Sequence, residues 1–482
     1  MAERSTITGS DSGHRATWAA EIAATLRLAA PIALAFLAEM GIVVADAVMT
    51  GKLGEAALAA EGLASHLLFT PQFLAMGVIS SVATLGAHAD GAQDPGMVTR
   101  VSRQGLWLAT LLTVPVALVV IAIPPILANR AYDPELVAMV RGMMWAGLPG
   151  IPALLWYTAL RNFATVLHKT RIVVVISLIS LLVAVCSNWV FLYGNLGMPA
   201  LGVTGVGISW SLACWVQFLV MLVYVRRQPL LAGYKVLTDL LHFDGRVLKD
   251  LFHVGWPISV SYAFESAMFL ASSLMMGWIG KDTMAAHAVV ISISSVSFMI
   301  PYGLSQAATV RVGFATGAGD PAGARRAGFA AILLGIVWMA CSGSAMVGLP
   351  QVLIGIYFDV TAPENQGALA VALAIIPIGA LFQIVDGIQC TAIGALRGLK
   401  DTRLPMFLCF FGYCIIGFAS SWLLAFVAGW KGEGVWSGLF VGLTVAATLL
   451  IVRFHLLSRR LIAEGPAKRA VAEPAAIESA SA

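Results

Sequence analysis

Twelve stretches of this sequence, roughly 26–50, 62–88, 103–128, 138–160, 172–194, 201–225, 251–277, 284–312, 327–349, 366–392, 404–426 and 434–457, are long and apolar enough to span a bilayer. A spanning helix takes about 20 predominantly apolar residues. Inside lipid every backbone N–H and C=O must find its partner within the protein, so a spanning segment is a helix or a strand of a closed barrel. The short alternating segments that build barrels are absent from the sequence. The chain is therefore expected to be an all-α polytopic membrane protein.

The charged residues orient it. With the first residue on the inner side, 24 of the 29 Lys and Arg fall on that side; only Lys52, Arg130, Arg141, Lys281 and Lys431 fall on the other. Such a bias follows the positive-inside rule and predicts that both termini are cytoplasmic. The basic residues then serve topology, and a nucleic-acid partner is not needed. The first 25 residues are polar and lack the apolar core of a signal peptide. The six cysteines all fall within predicted helices without metal-ligand spacing to His, so a disulfide framework is not expected.

The chain repeats itself. Shifted by 226 residues, Gly51, Gly54, Ala59, Ala60, Gly77, Ala89, Gly91, Ala92, Asp94, Pro95 and Arg100 align with Gly277, Gly280, Ala285, Ala286, Gly303, Ala315, Gly317, Ala318, Asp320, Pro321 and Arg326. Those are 11 identities in 50 positions, where composition alone would give roughly 4. Pro31 likewise matches Pro257, and Glu39 matches Glu265. Each repeat holds six helices. An even number returns the chain to its starting side, so the halves form a parallel repeat about an axis along the membrane normal. The expected layout is a cytoplasmic tail over 1–25, an N-lobe over 26–225, a cytoplasmic linker over 226–250, a C-lobe over 251–457 and a cytoplasmic tail over 458–482. Two such bundles would enclose a central cavity.

Only 11% of the residues are charged, yet Glu39, Asp46, Glu265 and Asp386 lie inside apolar segments. A charge at the bilayer centre costs at least about 2.5–3.5 kcal/mol, and an intramembrane acid marks a proton or ion pathway by default. Glu265 and Asp386 could each exchange a proton or hold Na⁺, the bland alternative being a polar clasp between helices. Gln383 and Gln389, three residues either side of Asp386, would add amide oxygens suited to a hard cation. Asp46 lies near the outer end of its helix and could simply face water. Glu39, seven residues earlier, lies on the same face about 10 Å deeper. Asn188 is a polar residue within the fifth helix that could bind a ligand or join two helices. Tyr262 is a further polar candidate close to Glu265. Phe264, Met268 and Phe298 could line an adaptable apolar wall, although such residues more often pack or face lipid. Pro31 and Pro257, at matching places near the inner helix ends, could act as hinges.

The sequence has no P-loop, no nucleophile elbow and no His-Glu-x-x-His. The chain by itself is therefore not expected to be an ATP-driven pump or an enzyme; transport would draw on an ion gradient. Four segments carry a family resemblance: Ala45-Asp46-Ala47-Val48-Met49-Thr50-Gly51, Phe264-Glu265, Asp386-Gly387-Ile388-Gln389, and Gly394-Ala395-Leu396-Arg397-Gly398-Leu399-Lys400-Asp401-Thr402. In these the chain resembles the multidrug and toxin extrusion (MATE) family, NorM-like branch, from about Leu26 to His455. The resemblance implies a V-shaped twelve-helix transporter with a central cleft. It implies a monomer of the bacterial cytoplasmic membrane that exports organic cations and amphiphilic drugs in exchange for Na⁺ or H⁺, with no other cofactor. It further implies cation binding at Glu265 and Asp386 and a coupling or substrate role for Asp46. The sequence departs from relatives at Phe382, where a Tyr is found, and at Ala184, where some carry Asn. The alternative within the wider superfamily is an exporter or flippase of an endogenous metabolite or lipid-linked precursor. That would call for basic residues in the cavity, whereas the basic residues here map to the cytoplasmic helix ends.

Overall fold

The computed structural model describes residues 17–129, 133–240 and 242–480, with side chains to 464. Most of the expected N-terminal tail, the end of the C-terminal tail, and Arg130 lie outside the residues so described. Eleven helices are long and apolar enough to cross a membrane. They are α1 (Trp18–Gly51), α2 (Glu55–Gly91), α3 (Pro95–Ala128), α5 (Arg171–Phe191), α6 (Val203–Arg227), α7 (Gly245–Ile279), α8 (Lys281–Gly317), α9 (Pro321–Gly348), α10 (Pro363–Gly398), α11 (Arg403–Val427) and α12 (Lys431–Glu464). The twelfth, α4, is a pair, Pro134–Gly147 and Gly150–Val166, bent by 47°. The break falls at Gly147-Leu148-Pro149-Gly150, where proline and glycine interrupt the helix. The sequence anticipated one continuous span here.

The conserved-looking Gly-Ala-x-Asp-Pro of each repeat has a local cause. Asp94 Oδ1 accepts from the Met97 backbone N–H at 2.8 Å, and Asp320 Oδ1 accepts from that of Gly323 at 2.8 Å. Each aspartate is thus the N-cap of α3 or α9, with proline at the first helical position, where its missing N–H costs nothing.

The chain divides into two compact units. One comprises residues 31–86 and 94–263; the other comprises 1–30, 87–93 and 264–482. Helices α1 and α7 each pass from one unit to the other, at Ala30–Pro31 and at Ala263–Phe264. The first unit has its own apolar core, with Leu68, Ile79, Met143, Met144, Ile151 and Leu155 fully enclosed. The core of the second is built around Met275, Met276, Phe382, Tyr413, Trp436 and Phe454. Lipid tails are as apolar as these side chains, so helix association rests on close packing and on small residues that let backbones approach. Gly434, Gly438 and Gly442 give α12 such a stripe. A Cβ on any of them would collide with the α11 backbone at Leu424–Ala425, Ser421 or Gly417. Opposite that stripe α11 is wound partly as π-helix, over Phe411–Gly417 and Leu423–Val427.

Within the second unit the ends of α2 and α8 meet by way of repeat-matched residues. A Cβ on Gly91 would strike the carbonyl of Phe314, and a Cβ on Gly317 would strike the carbonyl of His88. His88 and Phe314 are themselves 226 residues apart, so the contact is reciprocal. His88 Nε2 also bonds the Gly398 carbonyl at 2.7 Å.

Candidate functional site

In the first unit α1 presents two acids to different partners. Asp46 is only 5% exposed and accepts from Asn188 Nδ2 of α5 at 2.5 Å. It does not face water, which was one of the two readings the sequence left open. Asn188 is fully buried, and its Oδ1 has no hydrogen-bond partner among the described residues. Just beyond the end of α5, Tyr193 Oη donates to the Met49 carbonyl at 2.7 Å and ties the two helices together. Ala184, one turn before Asn188, is enclosed by Ile42, Leu181 and Ala213, so an apolar contact fills that level.

Glu61 joins this group, and the sequence reading missed it. It closes the second turn of α2, is buried, accepts from Ser65 Oγ at 2.7 Å, and lies within electrostatic range of Asp46. Its signal was the acid–serine pair one helical turn apart, at the edge of the apolar run that defines α2.

Glu39 is bound differently. Its Oε1 accepts from Arg161 Nη1 of α4 at 3.4 Å and from Ser177 Oγ of α5 at 3.3 Å. The guanidinium also lies over the Phe36 and Tyr157 rings, 5.2 and 5.6 Å from their centroids. The charge count assigned Arg161 to the cytoplasmic set. The structure instead buries it as the counter-ion of Glu39, which offsets the cost of both charges. Pro31 lies within α1 and the helix runs on through it; Pro257 is likewise interior to α7, where Ser261 Oγ takes its carbonyl at 2.9 Å. Tyr262, on the same segment of α7, stacks on Phe73 at 4.7 Å.

In the second unit Glu265 of α7 and Asp386 of α10 come within electrostatic range of one another. Glu265 is half-buried, whereas Asp386 is 6% exposed. Asp386 Oδ1 and Gln389 Oε1 are buried without a hydrogen-bond partner among the described residues, and Tyr413 Oη, also buried, has the Cys409 thiol beside it. The charges of both acids reach Tyr413 of α11. Arg397, also buried, lies within electrostatic range of Glu265. The two repeat-matched glutamates, Glu39 and Glu265, are therefore each accompanied by an arginine from the fourth helix of their own repeat. Arg397 was another residue that the charge count assigned to topology.

Gln383 is engaged elsewhere. Its Oε1 accepts from Ser342 Oγ at 3.0 Å, and its Nε2 donates to Ser294 Oγ at 3.3 Å and to Met346 Sδ at 2.8 Å. Of the two amides flanking Asp386, Gln389 is the one left with an uncommitted oxygen. Phe382 packs edge-on against Phe269 and Trp436, a wholly apolar setting. Phe264 packs on Phe410 at 5.0 Å, Met268 is buried in the core of the unit, and Phe298 lies beside Tyr302 at 6.1 Å. No group of three or more His, Cys, Asp or Glu that could hold a metal occurs among the described residues. A cation at Glu265 and Asp386 would therefore draw its remaining ligands from neutral oxygens.

The family model MatE matches the chain twice, over residues 31–190 and 257–423. The two matches begin at Pro31 and Pro257, the same 226-residue offset found within the sequence. The chain is 38% identical over 453 residues to a protein of Mesorhizobium japonicum described as a probable multidrug resistance protein NorM, covering 92% of this chain and 96% of that one. It is 36% identical over 441 residues to the multidrug resistance protein NorM of Burkholderia vietnamiensis, covering 91% and 95%. Among solved structures, an outward-facing multidrug resistance MATE family transporter superposes with a TM-score of 0.84 at 18% identity, covering 92% and 96%. A eukaryotic MATE transporter does so with 0.80 at 21%, covering 93% and 99%. An all-helical chain with a duplicated six-helix pattern, matched over nearly its whole length by these proteins, belongs to the MATE family of multidrug efflux transporters and to its NorM branch.

Proposed function

We propose that the chain is a secondary antiporter that exports organic cations and amphiphilic drugs from the cytoplasm in exchange for Na⁺ or H⁺. It would work in the bacterial cytoplasmic membrane with both termini inside. The observation that carries this reading is Asp386: a carboxyl buried in a membrane-length helix, with an uncommitted oxygen, in range of a second acid at Glu265. Two carboxylates so placed repel one another unless a proton or a cation lies between them, which is the property a coupling site needs. Asp46, held by Asn188, supplies a separate anionic point in the first unit where an organic cation can be received.

Exchange then follows from opposed preferences. A cation bound at Glu265 and Asp386 favours the state that releases drug outside, and drug favours the reverse. Each ligand shifts the equilibrium only by its difference in affinity for the two states. The test is ethidium efflux from proteoliposomes under a Na⁺ or a H⁺ gradient imposed separately. One gradient should drive efflux, and Glu265→Gln and Asp386→Asn should abolish it. A folded protein that moves dye under neither gradient would sink the drug-antiport reading and direct the search to a metabolite or lipid-linked substrate.

A further inference from the structure

At the end of the second unit where α1 and α9 begin and α12 ends lies a cleft of about 460 Å³ lined by Trp18, Ala322, Arg325, Arg326, Phe329, His455 and Ile462. It is remote in sequence from the acids described above, and the transport reading makes no use of it.

Arg325 is fixed in place. Its Nη1 donates to the His455 carbonyl at 3.2 Å and to Ser458 Oγ at 3.1 Å, its Nη2 bonds His455 Nδ1 at 3.1 Å, and its guanidinium lies over the Phe329 ring at 5.1 Å. Arg326 is less engaged. Its nearest carboxylate, Asp320, is 3.8 Å away and half exposed, and Arg326 Nε is a buried donor without a hydrogen-bond partner among the described residues. The other acids nearby are each bound to an arginine outside the cleft: Glu21 to Arg311, Asp401 to Arg453 and Glu464 to Arg460, all at 2.7 Å. Among the described residues the cleft thus carries two guanidinium groups and no lining acid. Its remaining walls are an exposed indole, a phenyl ring and an isoleucine. A positive pocket with an apolar rim suits an anion that carries hydrocarbon. Tryptophan at a helix end is typical of the headgroup level of a membrane.

The repeat supplies a second argument. Arg325, Arg326 and Phe329 correspond to Thr99, Arg100 and Arg103 of the first repeat. There the linker covers the start of α3: Thr99 Oγ1 donates to the Tyr234 carbonyl at 2.9 Å, Arg103 Nη2 to that of Lys235 at 3.4 Å, and Trp107 Nε1 to that of Leu240 at 2.7 Å. Backbone carbonyls of the chain itself thus serve as acceptors at the start of α3. Both helix starts carry two arginines, Arg100 and Arg103 on α3 and Arg325 and Arg326 on α9; the linker lies against α3, whereas the start of α9 lines a cleft.

We infer that this cleft binds the phosphate of an anionic phospholipid, with Arg326 and Arg325 as donors and the Trp18, Phe329 and Ile462 rim against the glycerol and upper acyl chain. The chemistry of phosphate recognition by guanidinium is shared with free phosphate, and the apolar rim favours the lipid. The inference is independent of the coupling ion and of the drug.

The test uses full-length protein in nonionic detergent. Bound lipid is counted by native mass spectrometry, and the melting temperature is followed while dioleoyl phosphatidylglycerol, dioleoyl phosphatidylcholine, glycerol phosphate or inorganic phosphate is added. Phosphatidylglycerol should be retained about fivefold over phosphatidylcholine for the contribution of Arg326, and it alone should raise the melting temperature. Arg326→Gln should abolish the preference, and Arg326→Lys should keep most of it. The Asp320 cap on Gly323 uses Oδ1, whereas Arg326 approaches Oδ2 at 3.8 Å; an unchanged melting temperature without added lipid checks that both variants keep the local fold. Equal retention of the two lipids, or an unaltered preference in Arg326→Gln, would overturn the inference. Stabilisation by inorganic phosphate equal to that by phosphatidylglycerol would overturn it too, and would mark a free-anion site.

Discussion

Asn188 and Asp46 are joined by a hydrogen bond across 142 residues of sequence, and both side chains are buried. A hydrogen bond to a charged group contributes about 1.5–3 kcal/mol. Asn188→Ala should therefore lower the affinity for a cationic dye at least about tenfold, read by fluorescence polarisation on the purified protein. Asn188→Asp sets a second carboxylate against Asp46 and should cost more. Equal dye affinity in wild type and Asn188→Ala would remove this pair from substrate recognition.

Arg161 and Glu39 should behave as a structural pair rather than a transporting one. Arg161 is buried and Glu39 part-buried, so removing one partner costs up to about 3–5 kcal/mol, the figure for a fully buried pair whose other charge is left uncompensated. Arg161→Gln should lower the melting temperature by several degrees. The double variant Glu39→Gln, Arg161→Gln should recover much of the loss. A double variant as unstable as the single one would mean that Arg161 acts chiefly through the Phe36 and Tyr157 rings.

Tyr413→Phe separates stability from ion response. The phenol is buried and its Oη has the Cys409 thiol, a weak hydrogen-bond partner, beside it, so its burial costs up to about 1–3 kcal/mol. Deleting the hydroxyl should leave the melting temperature unchanged or higher. It should also raise the concentration of Na⁺ or H⁺ needed for half-maximal efflux. A fall in stability with unchanged ion response would show the hydroxyl to be structural.

Gly91 and Gly317 share one contact, so their substitutions should not add. Gly91→Ala and Gly317→Ala each drive a Cβ onto a backbone carbonyl, and overpacking of this kind costs about 1–3 kcal/mol. Once one helix has been pushed away, the second substitution meets less resistance. The double variant should melt well above the temperature expected from summing the two losses. Strict additivity would mean that the two glycines do not meet.

The helices were legible because lipid leaves a spanning chain so few choices. Eleven of the twelve apolar runs became helices long and apolar enough to cross a membrane and the other a bent pair, and the 226-residue offset reappeared in the family matches. The broken fourth helix carried its warning in Gly147-Leu148-Pro149-Gly150, which a run of apolar residues concealed. The polar partners were harder to read. Arg161 and Arg397 looked like topological charges because a count by segment does not register which face of a helix a side chain occupies. Gln383 and Gln389 were equivalent by spacing about Asp386, and only the packing of α8 and α9 against α10 separates them. Glu61 fell just outside the apolar window. For the two arginines and the two amides the missing information was a contact between helices far apart in sequence.

Gly91 sits on the Phe314 carbonyl and Gly317 on the His88 carbonyl, and the two glycines and the two carbonyls are each 226 residues apart. Each repeat thus offers the other the same glycine and the same carbonyl, and the junction of the two helix ends is self-matching.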